Sequence, residues 1–335
     1  MNTVTTERDS PIAGRLDGRV PCVASTKTQP VRRDGLRRLR GSDMTNWAEK
    51  LGFSADDRVV VVHVDDIGLC PDANEGALAA LRGAATCGSV MVPCPAFEAI
   101  AETARREPGL DLGIHLTLNC EYESVRWGPL TKDTPGLRSP DGAMWRTVAE
   151  TVEHADPPEV ERELRAQIER ALGAGIDVTH LDSHMGTVLH PKFVDVYVRL
   201  GRHYRLPLFL PRVDRKALAA RGLEEAAEFY GRLVEDLEAE GFPVFDGFDA
   251  DSLSFEPGTG LEHNLRRIDR LPRGLSYLIT HCARGGEELR GFAPDWRQRD
   301  EECRIYSDGT MERAFEERGI RTAGMRALRD LLRSR

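Results

Sequence analysis

The sequence predicts an α/β protein built as a single distorted (β/α) barrel with about seven parallel strands. From residue 58 onward, short apolar runs alternate with stretches of helical periodicity, as expected for parallel strands covered by helices. Polar residues also follow strands at points scattered from Asp65 to His281. The length of 335 residues allows one barrel or two average domains, and a single barrel brings these residues to one shared mouth.

The first predicted strand, residues 58–64, reads RVVVVHV, a β-branched run typical of a strand buried on both faces. Further apolar runs predict strands at 88–93, 112–118, 178–182, 206–210, 243–248 and 275–282. Between them, apolar residues at helical spacing predict helices at about 74–86, 96–108, 158–174, 191–203, 215–240, 296–305 and 322–332.

Two segments depart from this alternation. Residues 1–43 carry nine basic and five acidic residues without apolar periodicity, which predicts a disordered extension to a barrel domain over 44–335. The extension is either part of the natural protein or an upstream segment before a natural start at Met44. Residues 119–156 hold many Gly, Pro and Trp, and such a long segment in a compact domain is usually a lid or binding loop.

Composition excludes several functional classes. The net charge of −9 and the lack of a basic stripe disfavour a nucleic-acid partner. No apolar run approaches the roughly 18 residues that a membrane-spanning helix needs, and no signal-peptide core is present, so we expect a cytoplasmic protein that does not bind membranes. The sequence leaves open whether the protein forms a homo-oligomer.

The cysteines indicate reduced thiols. There are seven of them, and no pair has CxxC spacing, so neither a disulfide framework nor a zinc ribbon is indicated. Cys282 follows His281 and could act as a nucleophile, although a small buried cysteine is the more common situation.

Metal-ligating and proton-carrying residues cluster at the ends of four predicted strands. Because the carboxyl ends of parallel strands share one face, we expect these residues to converge there. The segment VTHLDSH is the most specific, since alternating strand positions put His180, Asp182 and His184 on one side. The other strand-end residues are Asp65, Asp66, His115 and His281.

Three of these segments resemble the signature motifs of the YdjC/ChbG-like carbohydrate deacetylases. They are VDDIGL at 64–69, GIHLTL at 113–118 and THLDSH at 179–184, and the similarity spans residues 56–305. The resemblance implies a distorted (β/α) barrel that uses a divalent metal ion to hydrolyse the N-acetyl group of an amino sugar or oligosaccharide.

The resemblance also implies roles for the strand-end residues. Asp66, His115 and His184 would bind the metal, Asp65 would be the general base, and His281 would be the general acid. Two imidazoles and a carboxylate suit zinc, cobalt, nickel or manganese, while magnesium is less natural.

Supporting roles can be assigned around these residues. His180 and Asp182 would orient His184 or the attacking water. A carboxylate would keep His281 protonated, and Asp182 and Asp295 are the candidates.

Substrate contacts are expected from Trp127 and Arg126 in the long segment and from Arg284 after the last strand. The chain departs from the family pattern after His184, where MGTV stands in place of a histidine-rich stretch, so the sugar need not be a chitooligosaccharide.

Two other functions fit the same barrel. One is a metal-dependent hydrolase of another amide or an ester, and the other is a non-catalytic carbohydrate-binding relative. Asp65 argues against the second, because binding alone needs no base. A serine hydrolase or nucleotide enzyme is disfavoured, since the GxSxG, GxGxxG and GxxxxGK[ST] motifs are absent.

Overall fold

The computed structural model describes residues 45–212, 214–215 and 224–334. The extension predicted over 1–43 lies outside the described residues, as do residues 216–223 of the helix predicted at 215–240.

The described residues form a seven-stranded parallel sheet. The strands are β1 Arg58–Ile67, β2 Cys87–Val90, β3 Leu112–Leu116, β4 Val178–Ser183, β5 Gly247–Asp249, β6 Gly274–Thr280 and β7 Ile320–Thr322. Their order in the sheet is β4-β3-β2-β1-β6-β5, and β7 also pairs with β1. The α/β class and the parallel sheet are therefore confirmed. The short strand β7 was not predicted, because it has only three residues and just one of them is buried.

Helices cover the sheet. They are α1 Trp47–Lys50, α2 Pro71–Leu81, α3 Phe97–Arg106, α4 Val148–His154, α5 Pro157–Gly173, α6 Val194–Tyr204, α7 Glu224–Ala239, α8 Gly260–Asp269, α9 Glu287–Phe292, α10 Trp296–Ser307, α11 Thr310–Glu317 and α12 Met325–Arg333. Within the described part of the chain, no helix combines the length and apolar character needed to cross a membrane. The helices α1, α4, α8, α9 and α11 were not predicted, although a capping box between Thr147 and Glu150 marks the start of α4.

The chain between the edge strands β4 and β5 links the two sides of the sheet. The strand predicted at 206–210 is instead a pair of isolated bridges, Leu181 to Leu208 and Pro211 to Phe245. Phe209 donates a backbone hydrogen bond of 3.1 Å to Leu181. The sheet therefore curves toward closure, as the predicted distorted barrel requires.

Alternation along β1 separates the helix-facing core from the barrel interior. Val60, Val62 and Val64 pack in the large cluster that includes the covering helices. The opposite face begins with Val59 and Val61 in a second apolar cluster, which also holds Trp47 of α1 and Leu328 of α12. The same inner face continues with His63 and Asp65. The interior is thus apolar at the amino ends of the strands and polar at the carboxyl ends.

The long segment 119–156 is tied to the barrel by buried polar groups. Glu163 of α5, fully buried, accepts backbone hydrogen bonds from Leu130 at 3.0 Å and Thr131 at 2.9 Å. Arg126 donates to the carbonyl oxygens of Cys120 and, at 2.9 Å, Met144. The start of this segment is thereby held beside the carboxyl ends of the strands.

Candidate metal centre and active site

A bulge at the end of β1 turns two neighbouring carboxylates toward the same region. Strict alternation would send Asp65 and Asp66 to opposite faces of the sheet. The pairing of β1 with β2 shifts register between Val64 and Ile67, and Asp66 has a φ of 62°. This left-handed residue re-aims its side chain, as β-bulges beside active sites often do.

Three buried donor atoms converge beside this bulge. Asp66 Oδ1 lies 3.4 Å from His115 Nε2 and 3.3 Å from His184 Nδ1. The three atoms all lie within 4.8 Å of one another. Although it is buried, Asp66 Oδ1 makes no well-aligned hydrogen bond within the described residues, and the two imidazoles face it. A cation at the centre of the three atoms, or a second proton on each ring, would balance the charge of this oxygen.

The outer nitrogens of both histidines contact carboxylates. His115 Nδ1 lies 2.9 Å from Asp182 Oδ1, and His184 Nε2 lies 2.9 Å from Glu121 Oε2. A carboxylate can only accept, so each outer nitrogen carries the proton. In the neutral rings, the lone pairs of His115 Nε2 and His184 Nδ1 then face Asp66. This donor set fits a divalent ion.

The arrangement differs from the expected supporting roles in one respect. Asp182 contacts His115 rather than His184, and Ser89 donates a hydrogen bond of 2.9 Å to Asp182 Oδ2. His184 is held instead by Glu121, from the long segment. The HxDxH spacing could not reveal this pairing, because the partner of Asp182 is His115 on the neighbouring strand β3.

A buried arginine compensates the charge of Asp66. Burial alone would raise the pKa of this carboxyl group, but Arg299 of α10 lies 2.7 Å from Oδ2. The pKa of Asp66 is therefore held well below its ordinary value, and the carboxylate is ionised. Arg299 also contacts Asp295 at 3.0 Å, so this aspartate is committed to the arginine.

The two candidate histidine ligands are strongly basic in the absence of an ion. Burial lowers the pKa of His184, but Glu121 and Asp66 outweigh it and raise the pKa to about 9. Burial likewise opposes the charged form of His115, yet Asp182 and Asp65 raise its pKa well above the ordinary value. A divalent ion would replace these protons, because a histidine ligand must be neutral.

Asp65 lies between a candidate ligand and the expected acid. Its Oδ2 atom is 3.8 Å from His115 Nε2 and 3.9 Å from His281 Nε2. Its Oδ1 atom is 2.7 Å from His63 Nδ1. One oxygen of the carboxylate is thus held by His63, and the other faces the site.

His180 lies behind this pair rather than beside the candidate ligands. His180 Nε2 is 2.8 Å from His63 Nε2, and burial lowers the pKa of His180 well below its ordinary value. Its ring occupies the space that a side chain at Gly113 would fill, since a Cβ there would lie 2.6 Å from the ring. The neutral His180 therefore supports Asp65 through His63.

His281 follows β6 and has a different partner from the two carboxylates considered. His281 Nδ1 lies 3.0 Å from Ser252 Oγ, whereas Asp182 and Asp295 are engaged elsewhere. Ser252 donates a hydrogen bond of 2.7 Å to Glu302. The carboxylate thus reaches His281 through a hydroxyl group.

The three residues expected to contact substrate have different environments. Trp127 is only 4% exposed and donates a hydrogen bond of 2.9 Å to the carbonyl of Asn119. Arg126 is occupied with carbonyl groups of its own segment. Arg284 is partly exposed, 3.5 Å from Glu75. Substrate binding by these residues stays a prediction.

The described cysteines are buried and form no disulfide. Burial raises the pKa of Cys282 well above its ordinary value, so this thiol is protonated near neutral pH. A protonated, buried thiol is a poor nucleophile, which agrees with a packing role for Cys282.

Residues at the site that were missed from the sequence include Ser89 on β2 and the four residues Glu121, Ser252, Arg299 and Glu302. The last four lie on loops or on α10, outside the strand-end pattern that revealed the others. Arg299 and Glu302 are charged residues at helical spacing, and both are buried, so each needs a partner of opposite charge. The sequence could have indicated this only if the buried face of α10 were already known.

Comparison with known proteins identifies the family of this chain. The family described as YdjC-like protein matches residues 59–317, and the chain belongs to that family. A protein named carbohydrate deacetylase from Thermus thermophilus is 36% identical over 269 residues, covering 80% of this chain and 93% of its own. A second protein of that name, from Geobacillus stearothermophilus, is 29% identical over 265 residues, covering 78% and 95%.

A solved structure shares the fold. The crystal structure of a protein from Enterococcus faecalis V583, described as a cellobiose-phosphate cleavage protein, has a TM-score of 0.67 and 25% sequence identity. The match covers 81% of this chain and 99% of that one.

Proposed function

We propose that this protein is a metal-dependent deacetylase that hydrolyses the acetamide of an N-acetylated sugar or oligosaccharide. The observation that carries the proposal is the convergence of Asp66 Oδ1, His115 Nε2 and His184 Nδ1 on one buried point, with all three atoms within 4.8 Å of one another. The carbohydrate substrate class is supported by the relatives named carbohydrate deacetylase.

Asp66, His115 and His184 are the residues that would hold a single divalent ion. Two neutral imidazoles and one carboxylate leave positive charge on such an ion, which would polarise the acetyl carbonyl and make a nearby water more acidic. The nitrogen-rich donor set favours zinc, cobalt, nickel or manganese over magnesium.

Asp65 is the proposed base. Its free oxygen, Oδ2, is close to His115 Nε2, so a water beside the candidate ion would lie within reach of it. The carboxylate takes one proton as the water oxygen forms a bond to the acetyl carbon. His63 holds the other oxygen and keeps the carboxylate from rotating away.

His281 is the proposed acid. Its Nε2 faces the site on the far side of Asp65 Oδ2, at 3.9 Å. As the bond between the acetyl carbon and the sugar nitrogen breaks, the nitrogen needs a proton to leave as an amine. His281 Nε2 supplies that proton, and acetate and the free amino sugar result.

A screen of acetate release tests the proposal. Protein reconstituted with each divalent ion is incubated with N-acetylated monosaccharides and oligosaccharides, and with unrelated acyl amides and esters. We expect acetate from at least one N-acetylated sugar and none from the Asp66→Ala variant, which loses the ion. Release from other acyl substrates alone would assign a different hydrolase, and sugar binding without release would assign a non-catalytic relative.

A further inference from the structure

We propose that Ser252 and Glu302 are positioning residues that set the tautomer and direction of His281, so that Nε2 is the nitrogen that carries the proton to the leaving amine. The inference rests on the proposed deacetylase function, and it names two residues of this chain that neither the motifs nor the strand-end pattern indicate.

The three side chains form a continuous hydrogen-bonded line away from the site. His281 Nδ1 lies 3.0 Å from Ser252 Oγ, and Ser252 Oγ lies 2.7 Å from Glu302 Oε2. The same Glu302 oxygen accepts the backbone N–H of His281 at 2.8 Å. Glu302 therefore holds the backbone of His281 directly and its ring through Ser252.

The chemistry of these groups permits one direction for the hydrogen bonds. An ionised carboxylate only accepts hydrogen bonds, so the Ser252 hydroxyl donates its one hydrogen to Glu302. The hydroxyl oxygen then accepts from His281, which places a proton on Nδ1. In the neutral ring Nε2 is consequently the free base, and in the charged ring Nε2–H is the donor that faces Asp65.

Burial makes this line rigid. Glu302 is fully buried and Ser252 is 1% exposed. Arg267, also buried, lies 3.3 Å from the second oxygen of Glu302, which balances the carboxylate charge. Unlike these two, the His281 side chain is 21% exposed. The proton-carrying end is open to the site while the anchoring end is sealed.

This arrangement matters for the amide step alone. An amine leaves only if it gains a proton as the bond between carbon and nitrogen breaks, and the proposed source is His281 Nε2. An aryl ester releases a phenolate, which needs no proton from the enzyme. A misdirected His281 should therefore impair amide hydrolysis and spare ester hydrolysis by the same base and ion.

The test compares Ser252→Ala with Ser276→Ala in the ion-loaded full chain. Ser276 is another buried serine, on β6, whose hydroxyl has no hydrogen-bond partner among the described residues and no place in the mechanism. We expect Ser252→Ala to lower kcat for the N-acetyl sugar by about tenfold to a hundredfold with little change in KM, while aryl acetate hydrolysis changes less than about threefold. Ser276→Ala should leave both reactions unchanged, and Ser252→Thr, which keeps the hydroxyl, should recover much of the amide activity.

A spectroscopic readout makes the inference independent of turnover. In protein labelled with ¹⁵N-histidine, the His281 signals are assigned by their loss in His281→Gln. Neutral His281 should show the proton on Nδ1 in the wild type and a mixture of tautomers in Ser252→Ala. Unchanged tautomers, or equal losses of amide and ester hydrolysis, would overturn the inference. A wild type without amidase activity would overturn the proposed function, and the tautomer measurement would still decide the role of Ser252.

Discussion

At the residue scale, Asp66 combines two features that each cost free energy. A non-glycine residue in the left-handed region costs about 1–2 kcal/mol, and burial of a carboxylate oxygen without a well-aligned hydrogen bond is also unfavourable. Both features accompany the approach of Asp66 Oδ1 to His115 and His184, which supports the proposed ion site.

Glu121 should be needed for ion affinity although it is neither a proposed ligand of the ion nor the proposed base or acid. Its carboxylate fixes the proton of His184 on Nε2 and keeps Nδ1 free. We expect Glu121→Gln to weaken binding of the divalent ion by about tenfold to a hundredfold, measured by competition with a chromogenic chelator.

A matched control lies two residues along the chain. Glu123 pairs with Arg146 on the surface, with 84% of its side chain exposed. Glu123→Gln should bind the ion like the wild type. Equal affinities for all three proteins would mean that Glu121 does not orient the ligand.

At the scale of elements, the alternation along each strand explains why the site could be predicted at all. Inner-face positions change from apolar to polar toward the carboxyl ends of β1 and β6, and polar residues alternate with core-facing apolar residues on β3 and β4. That change is visible in the sequence as histidine or aspartate in an otherwise apolar run. The partners of those residues were not visible, because Glu121, Ser252 and Glu302 reach the site from irregular segments or from a helix.

The bulge in β1 was equally hidden. Both Asp65 and Asp66 were placed at the end of the strand from the sequence, but a period of two residues predicts that their side chains diverge. The backbone shift that reconciles them depends on pairing with β2, which is a long-range contact. The local sequence therefore predicts the strand β1 and its polar carboxyl end, but it does not predict the bulge.

Gly113 of β3 should be required for the packing of His180. A Cβ at this position would lie 2.6 Å from three atoms of the His180 ring, so the ring would have to move away from His63. We expect Gly113→Ala to lower the free energy of unfolding by about 1–3 kcal/mol, measured by urea denaturation, and to reduce turnover.

Gly109, just before β3, is the control. A Cβ there would meet no atom within 4 Å. Gly109→Ala should change the free energy of unfolding by less than about 0.5 kcal/mol. Similar losses in the two variants would mean that the His180 ring has room to adjust.

At the scale of the whole molecule, the distorted barrel depends on contacts that regular strand pairing does not supply. The sequence predicted a regular strand at 206–210, but the structure has isolated bridges there. Tyr197 of α6 reinforces them. Its hydroxyl donates to the carbonyl of Leu181 at 2.7 Å and accepts from the backbone N–H of Phe209 at 2.8 Å.

Removing this hydroxyl should weaken the closure. Tyr197 is fully buried, and Tyr197→Phe removes one of the two partners of the Leu181 carbonyl and of the Phe209 N–H, so we expect a loss of about 0.5–1.5 kcal/mol in the free energy of unfolding. Tyr204, on the partly exposed end of the same helix, provides the control. Tyr204→Phe should cost less than about 0.5 kcal/mol, and an equal cost for both variants would contradict a special role for Tyr197.

Net charge has a limited meaning at this scale. The charge of −9 disfavoured a polyanionic partner, but the site itself is defined by a few buried groups whose charges are locally balanced. Arg299 is shared by Asp66 and Asp295, and Arg267 is shared by Glu302 and Asp249. Such pairs do not appear in a sum over the whole chain.

The most direct test of the central claim is the acetate released by Asp65→Asn protein, measured together with its bound metal. Asp65 is not one of the three proposed ligands, and asparagine has nearly the same shape. We predict that the variant retains one divalent ion per chain, as the wild type does, and releases acetate from the N-acetyl sugar about a hundredfold to ten-thousandfold more slowly. Acetate release at the wild-type rate, with the ion still bound, would contradict the assignment of Asp65 as the base of a metal-dependent deacetylase.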